Sequence, residues 1–162
     1  MGVTIAFWIL AVAAILGALG VVLLRNVFRA ALSLVLCFLA VAGLYVTLSA
    51  DFLAAVQILV YVGAIAVLII LAIMLTRDVQ RGSPGNRLQL PAFIVAALFL
   101  AIVAFAIFQT SWQLAELPPP APTTSDLAFR LLGDGGFILP LEIAPVLLLA
   151  AIIGAIVLVR EK

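Results

Sequence analysis

Histidine is absent from the chain, cysteine occurs once, and charged residues make up only 9% of it. Each scarcity removes a class of function. Without imidazole there is no bis-histidine haem ligation, no imidazole metal site and no histidine acid–base catalysis, and the Ser and Thr hydroxyls have no histidine to activate them. Cys37 on its own makes neither an internal disulfide nor a cysteine-ligated cluster. There is no Gly-rich phosphate loop, and no basic cluster suggests nucleic acid. Water-soluble domains carry about 25% charged residues. A chain of 162 residues that is 68% hydrophobic instead belongs in a lipid bilayer.

What is there are five apolar runs separated by the charges. They predict an all-α integral membrane protein, one membrane domain over residues 1–162, with helices over 3–24, 30–48, 52–76, 91–109 and 137–159. The first run lacks the basic leader of a signal peptide and is too long for its apolar core, so it is expected to stay as an uncleaved span. Ser33 and Cys37, four apart, share a face of the second run and suggest a packed surface between helices. Asp51 is placed to cap the third helix. Ser83-Pro84-Gly85-Asn86 reads as a turn, Pro91 is tolerated in a first helical turn, and Trp112 suits the membrane interface. A Pro-rich loop over 113–136 has an extended Leu117–Pro122 core. Within it, Ser125 and Asp126 are competent caps for a short interfacial helix over Leu127–Leu132.

Charge distribution orients these spans. Seven of the eight Lys and Arg fall in three segments, Arg25 and Arg29, then Arg77, Arg81 and Arg87, then Arg160 and Lys162. With five spans these lie on one side, and the other side has Asp51, Glu116, Asp126 and Asp134 with only Arg130. The positive-inside rule then predicts an external N-terminus and a cytoplasmic C-terminus, and the expected location of this multi-pass protein is the bacterial plasma membrane.

The candidate functional residues stand in the third run. Between Asp51 and Arg77 lie 25 uncharged residues, about 37 Å of helix at 1.5 Å per residue. Gln57 and Tyr61, four apart, share a face near mid-membrane, and Gly63 points nearly the opposite way. Polar groups at that depth either hydrogen-bond to a neighbouring helix or line a hydrated path. An interior Gly costs a helix about 1 kcal/mol relative to Ala, which a close helix approach or a local departure from α geometry would balance. Glu142 is the single carboxylate inside an apolar run, near the positive end of its helix dipole. It is either a headgroup-level or capping carboxylate, or a proton-handling group.

The stretch FLAAVQILVYVGAIAVLIILAIMLT, from Phe52 to Thr76, resembles the third helix of chain J of the proton-pumping NADH–quinone oxidoreductase, respiratory complex I, the family of mitochondrial NADH dehydrogenase subunit 6. The last run, LPLEIAPVLLLAAIIGAIVLVR, resembles that family's final segment at Pro140, Glu142, Leu147-Leu148-Leu149 and Gly154. Ala66 and Pro145 depart from it, standing where the family more often has a bulkier residue and a small non-proline residue. The resemblance implies a membrane-arm core subunit between the quinone-site subunit and the antiporter-like subunits. It implies no cofactor in this chain, with FMN, iron–sulfur clusters and quinone held by partner subunits. It further implies a π-bulge around Tyr61 and Gly63 that converts to α-helix and so opens or closes a water path, making Gln57, Tyr61, Gly63 and Glu142 the candidate proton path or conformational switch. The rival readings are a purely structural membrane scaffold and a small stand-alone transporter, the latter with Glu142 alone for a charged substrate.

Overall fold

The computed structural model describes residues 1–76, 89–112 and 123–160. Among them the fold is entirely helical. Helix α1 spans Gly2–Leu23, α2 Val27–Thr47, α3 Asp51–Leu75, α4 Gln89–Gln109, α5 Thr123–Leu132 and α6 Leu139–Val159. All but α5 are long and apolar enough to cross a membrane. The Ser83–Asn86 turn and the Leu117–Pro122 core lie outside the described residues.

Helices α1 and α2 form an antiparallel hairpin whose seam is made of small side chains. A Cβ added at Gly17 would lie 3.0 Å from the backbone and Cβ of Cys37, and one at Gly20 would lie 2.8 Å from Ser33 Oγ. At the far end the roles reverse, and a Cβ added at Gly43 of α2 would lie 2.9 Å from the side chain of Leu10. Lipid is as apolar as leucine, so helices in a bilayer gain by close packing and not by hiding apolar surface. Glycines opposite Cys37 and Ser33 supply that closeness, and the Ser33–Cys37 face is indeed a packed interhelical surface.

The turns are built by backbone and short polar side chains. Asn26 caps α2, its Oδ1 accepting from the Arg29 N–H at 3.2 Å. At the other end, Ser49 adopts a left-handed backbone (φ 59°). The Ala50 N–H then reaches the Tyr45 carbonyl at 2.9 Å, and the Ser49 N–H reaches that of Val46 at 3.1 Å, a Schellman closure with Ser where Gly is usual. This displaces the expected cap: Ala50 occupies the N-cap of α3, and Asp51 sits inside the first turn without a side-chain capping bond. There its charge still faces the positive end of the helix.

Helix α3 packs along α2, and α5 packs on the Asp51 end of α3. α5 begins at Thr123, four residues before the expected Leu127, so Ser125 and Asp126 lie in its first turn and not at its cap. Asp126 pairs with Arg130 at 3.1 Å on the exposed face, while Leu127, Ala128, Leu131 and Leu132 line an apolar groove shared with Phe52 of α3 and Leu141 of α6. Gly133–Gly136 returns the chain from α5 to α6, with the Phe137 N–H bound to the Arg130 carbonyl at 2.9 Å and Gly135 at positive φ. By contrast, none of α4 or α6 within its most apolar window is buried by the rest of the described chain. Both are apolar on every face, as helices covered by lipid or by other chains must be.

Candidate functional site

α3 is regular over Asp51–Val56 and again over Val67–Leu75, but Gln57–Ala66 between them is a ten-residue π-helix. Such segments are rare, and most span a single turn. Of the two ways to balance the cost of Gly63, the structure takes the change of helical geometry. Gly63 is exposed on the chain's own surface, and a Cβ there would meet only the Ile58 carbonyl oxygen, at 3.4 Å. Among the described residues no neighbouring helix comes within 4 Å of that Cβ. Ile58 is five residues back, the hydrogen-bond partner that a π register assigns.

The burial pattern shows what the extra residue does. The inward face of α3 runs through Ala54, Gln57, Val62, Ala66, Ile69 and Ile73, all buried or half-buried. Its spacings are three, five, four, three and four residues. Only the step from Gln57 to Val62 is longer than an α-helix allows on one face. The residues one position earlier, Tyr61, Ile65, Leu68 and Ala72, are exposed. One extra residue in the ladder has therefore turned everything beyond it by about 100°, the angle of one residue at 3.6 per turn.

Gln57, the first residue of the π segment, is the one buried polar side chain among the described residues, 7% exposed in a core otherwise made of Ala31, Ala40, Ala42, Ala54 and Ala66. Tyr61 is 42% exposed. Its contact within the chain is aromatic, with its ring edge-to-face on Phe38 of α2 at 5.5 Å and 73°. Phe38 is the member of this site that sequence reasoning passed over. Nothing in a run of apolar residues marks one phenylalanine from the others. Ala66, the smaller-than-expected residue, is 1% exposed and is the most enclosed of the core alanines. Glu142 stands apart. It lies in the first turn of α6, exposed, with its N–H bound to the Ile138 carbonyl at 3.2 Å. Gln57, Tyr61 and Gly63 thus share one segment, and Glu142 is on a separate helix that the other described helices leave unburied.

The sequence model of NADH-ubiquinone/plastoquinone oxidoreductase chain 6 matches residues 17–158. The chain belongs to this family. Among its relatives, F(420)H(2) dehydrogenase subunit J of Methanosarcina mazei is 41% identical over 98% of this chain and 92% of its own length. NAD(P)H-quinone oxidoreductase chain 6 of Leptolyngbya boryana is 40% identical over 98% of this chain and 80% of the relative. Its counterpart in Synechocystis is 42% identical over 97% and 80%. As a chain 6 family member, the protein is a multi-pass membrane subunit of an oxidoreductase complex and works together with other subunits. The relatives' names carry different electron donors, so the family itself does not specify one.

Proposed function

We propose that the chain is a membrane-arm core subunit of a proton-translocating quinone oxidoreductase, without a redox centre of its own, and that α3 is its moving part. The observation that carries this reading is the five-residue step from Gln57 to Val62. A π segment is one register of a helix that has another register available. In the α register the inward positions would pass from Val62, Ala66, Ile69 and Ile73 to Tyr61, Ile65, Leu68 and Ala72. That exchange moves a tyrosine hydroxyl into the interface next to Gln57 and replaces a buried Ala by an Ile. A polar pair at mid-membrane then alternates between a state that offers water two hydrogen-bonding groups and one that does not, which is the requirement for a gated proton path. No proline occurs between Asp51 and Thr76 to lock either register.

On this reading Gln57, Tyr61 and Gly63 are the working residues, and Glu142, exposed in a first helical turn, serves as a headgroup-level charge at the positive end of α6. FMN, iron–sulfur clusters and quinone are held by partner subunits, and the partners in the membrane are the quinone-site subunit on one side and antiporter-like subunits on the other. The charge asymmetry supports a plasma-membrane protein with an external N-terminus and cytoplasmic C-terminus.

Gly63→Leu tests the reading. A helical leucine side chain leans back onto the preceding turn, here toward the Ile58 carbonyl, and so disfavours the π register. The complex is expected to assemble in normal amount, with proton pumping and quinone reduction reduced about tenfold, the effect of about 1.4 kcal/mol on the register equilibrium. Normal pumping by the assembled variant would leave the chain a structural scaffold.

A further inference from the structure

We infer that the amphipathic helix α5 is a strap that clamps the Asp51 end of α3 to α6, so that a register change in the π segment turns only the half of α3 beyond it. The inference rests on the proposed movement of α3 and adds which end stays still and what holds it.

Three features fix the Asp51 end. The Schellman closure at Ser49 ties it to α2 through the three-residue connection Leu48-Ser49-Ala50. Ala54 and Gln57 are buried there, at 4% and 7% exposed. The third feature is α5 itself, which contacts the Asp51 end of α3: its apolar residues line one groove with Phe52 and with Leu141 of α6, and Asp126, Leu127 and Arg130 line a second cavity with Leu48, Ser49 and Leu53. Among the described residues, α5 contacts the regular segment Asp51–Val56. The far half is held differently. Val67–Leu75 buries no residue and, among the described residues, packs chiefly along α2.

A rotation of about 100° must be taken up by one end or the other. Turning the Asp51 end would break the closure at Ser49, drag Phe52 out of the α5 groove and expose Ala54. Turning the far half withdraws Val62, Ala66, Ile69 and Ile73 in favour of Tyr61, Ile65, Leu68 and Ala72, and of the residues withdrawn only Ala66 is buried. α5 therefore decides the direction in which the movement is delivered. It also links that fixed point to α6, the helix carrying Glu142, which packs little against the remaining described helices.

The test uses the whole complex carrying Phe52→Cys and Leu127→Cys in a Cys37→Ser background, compared before and after joining the two thiols with a short cleavable cross-linker. Unlinked, the variant has lost the two apolar side chains of the strap, and protons pumped per quinone reduced are expected to fall about fivefold. Linked, the fixed end is restored and pumping is regained. Cleaving the link should return the deficit. If linking instead abolishes turnover and cleavage restores it, α5 must leave α3 during the cycle and the strap is overturned. Equal, undiminished pumping in both forms overturns it as well. If the double variant does not assemble, Leu131→Ala provides a milder loosening, and full pumping by that assembled variant would refute the strap. A Gly63→Leu complex assayed in parallel separates the two ideas, because normal pumping there removes the movement itself.

Discussion

Ala66 offers the most direct handle on the register of α3, because it is the position where the two registers demand opposite sizes. In the π register it is 1% exposed, with no room for added carbons. Inserting methylenes into a packed interior costs about 1–3 kcal/mol, so Ala66→Leu destabilises the π register by that amount. In the α register position 66 turns outward by about 100° and Ile65, now 37% exposed, takes its place. There the added leucine meets lipid or a neighbouring chain and costs little. The substitution thus biases the equilibrium toward the α register by about 5- to 150-fold. Cysteines placed singly at Ile65 or at Val62, in a Cys37→Ser background, report the register through their labelling by a membrane-permeant thiol reagent. In the parent, position 65 should label faster than position 62. Ala66→Leu should reverse that order and lower pumping. An assembled Ala66→Leu complex with the parent's labelling order and full pumping would refute the argument from burial spacing, whatever its effect on stability.

Two further outcomes follow from the same geometry. Gly17→Ala places a methyl 3.0 Å from the Cys37 backbone, an overpacking cost of about 1–3 kcal/mol that a helix propensity gain of about 1 kcal/mol offsets only in part. The assembled complex seen on a native gel should decline, and Gly20→Ala, whose methyl would meet Ser33 Oγ at 2.8 Å and Ser33 Cβ at 3.0 Å, should lower it as well. Glu142→Gln removes a charge from the exposed first turn of α6 and should change turnover by no more than about fivefold with its pH profile unshifted, since surface charges at helix ends contribute about 0.3–1 kcal/mol. A displaced pH profile would bring Glu142 into the proton path after all.

The five spans were legible because hydropathy and length suffice to reveal them. What faces what was not. α1, α4 and α6 are apolar on every side, so no stripe distinguishes the face that packs, and Gly17 and Gly20 announce their role only once Cys37 and Ser33 are seen opposite. The turn residues were read by type and not by geometry. Asp51 looked like a cap, but the Schellman closure of α2 put Ala50 in that position. Asn26 reads as part of a short basic turn with Arg25 and Arg29, although it is also a strong capping residue. The start of α5 was placed at Leu127 because Ser125 and Asp126 read as caps, while a first helical turn tolerates those residues equally well. As for the π segment, Gly63 signalled that some departure from an ordinary helix was needed, and the residues permit a ten-residue π stretch without requiring one. Its position became certain only through the burial of Val62 and Ala66 in place of Tyr61 and Ile65.

The alanine core has a consequence for how this protein changes over time. Among the described residues no large side chain is fully enclosed by the chain itself, and α4 and α6 lend it almost no burial. A substitution at Gly17, Cys37 or Gly43 is met by another residue of the same chain, and a second change in the same gene can compensate it. A substitution on α4 or α6 is met by whatever covers those helices, in part a different gene product. Drift in the first two helices should therefore be correlated within the chain, and drift in the fourth and last with its neighbours. Replacing this subunit by a distant relative should consequently fail at its outer helices before it fails at its hairpin.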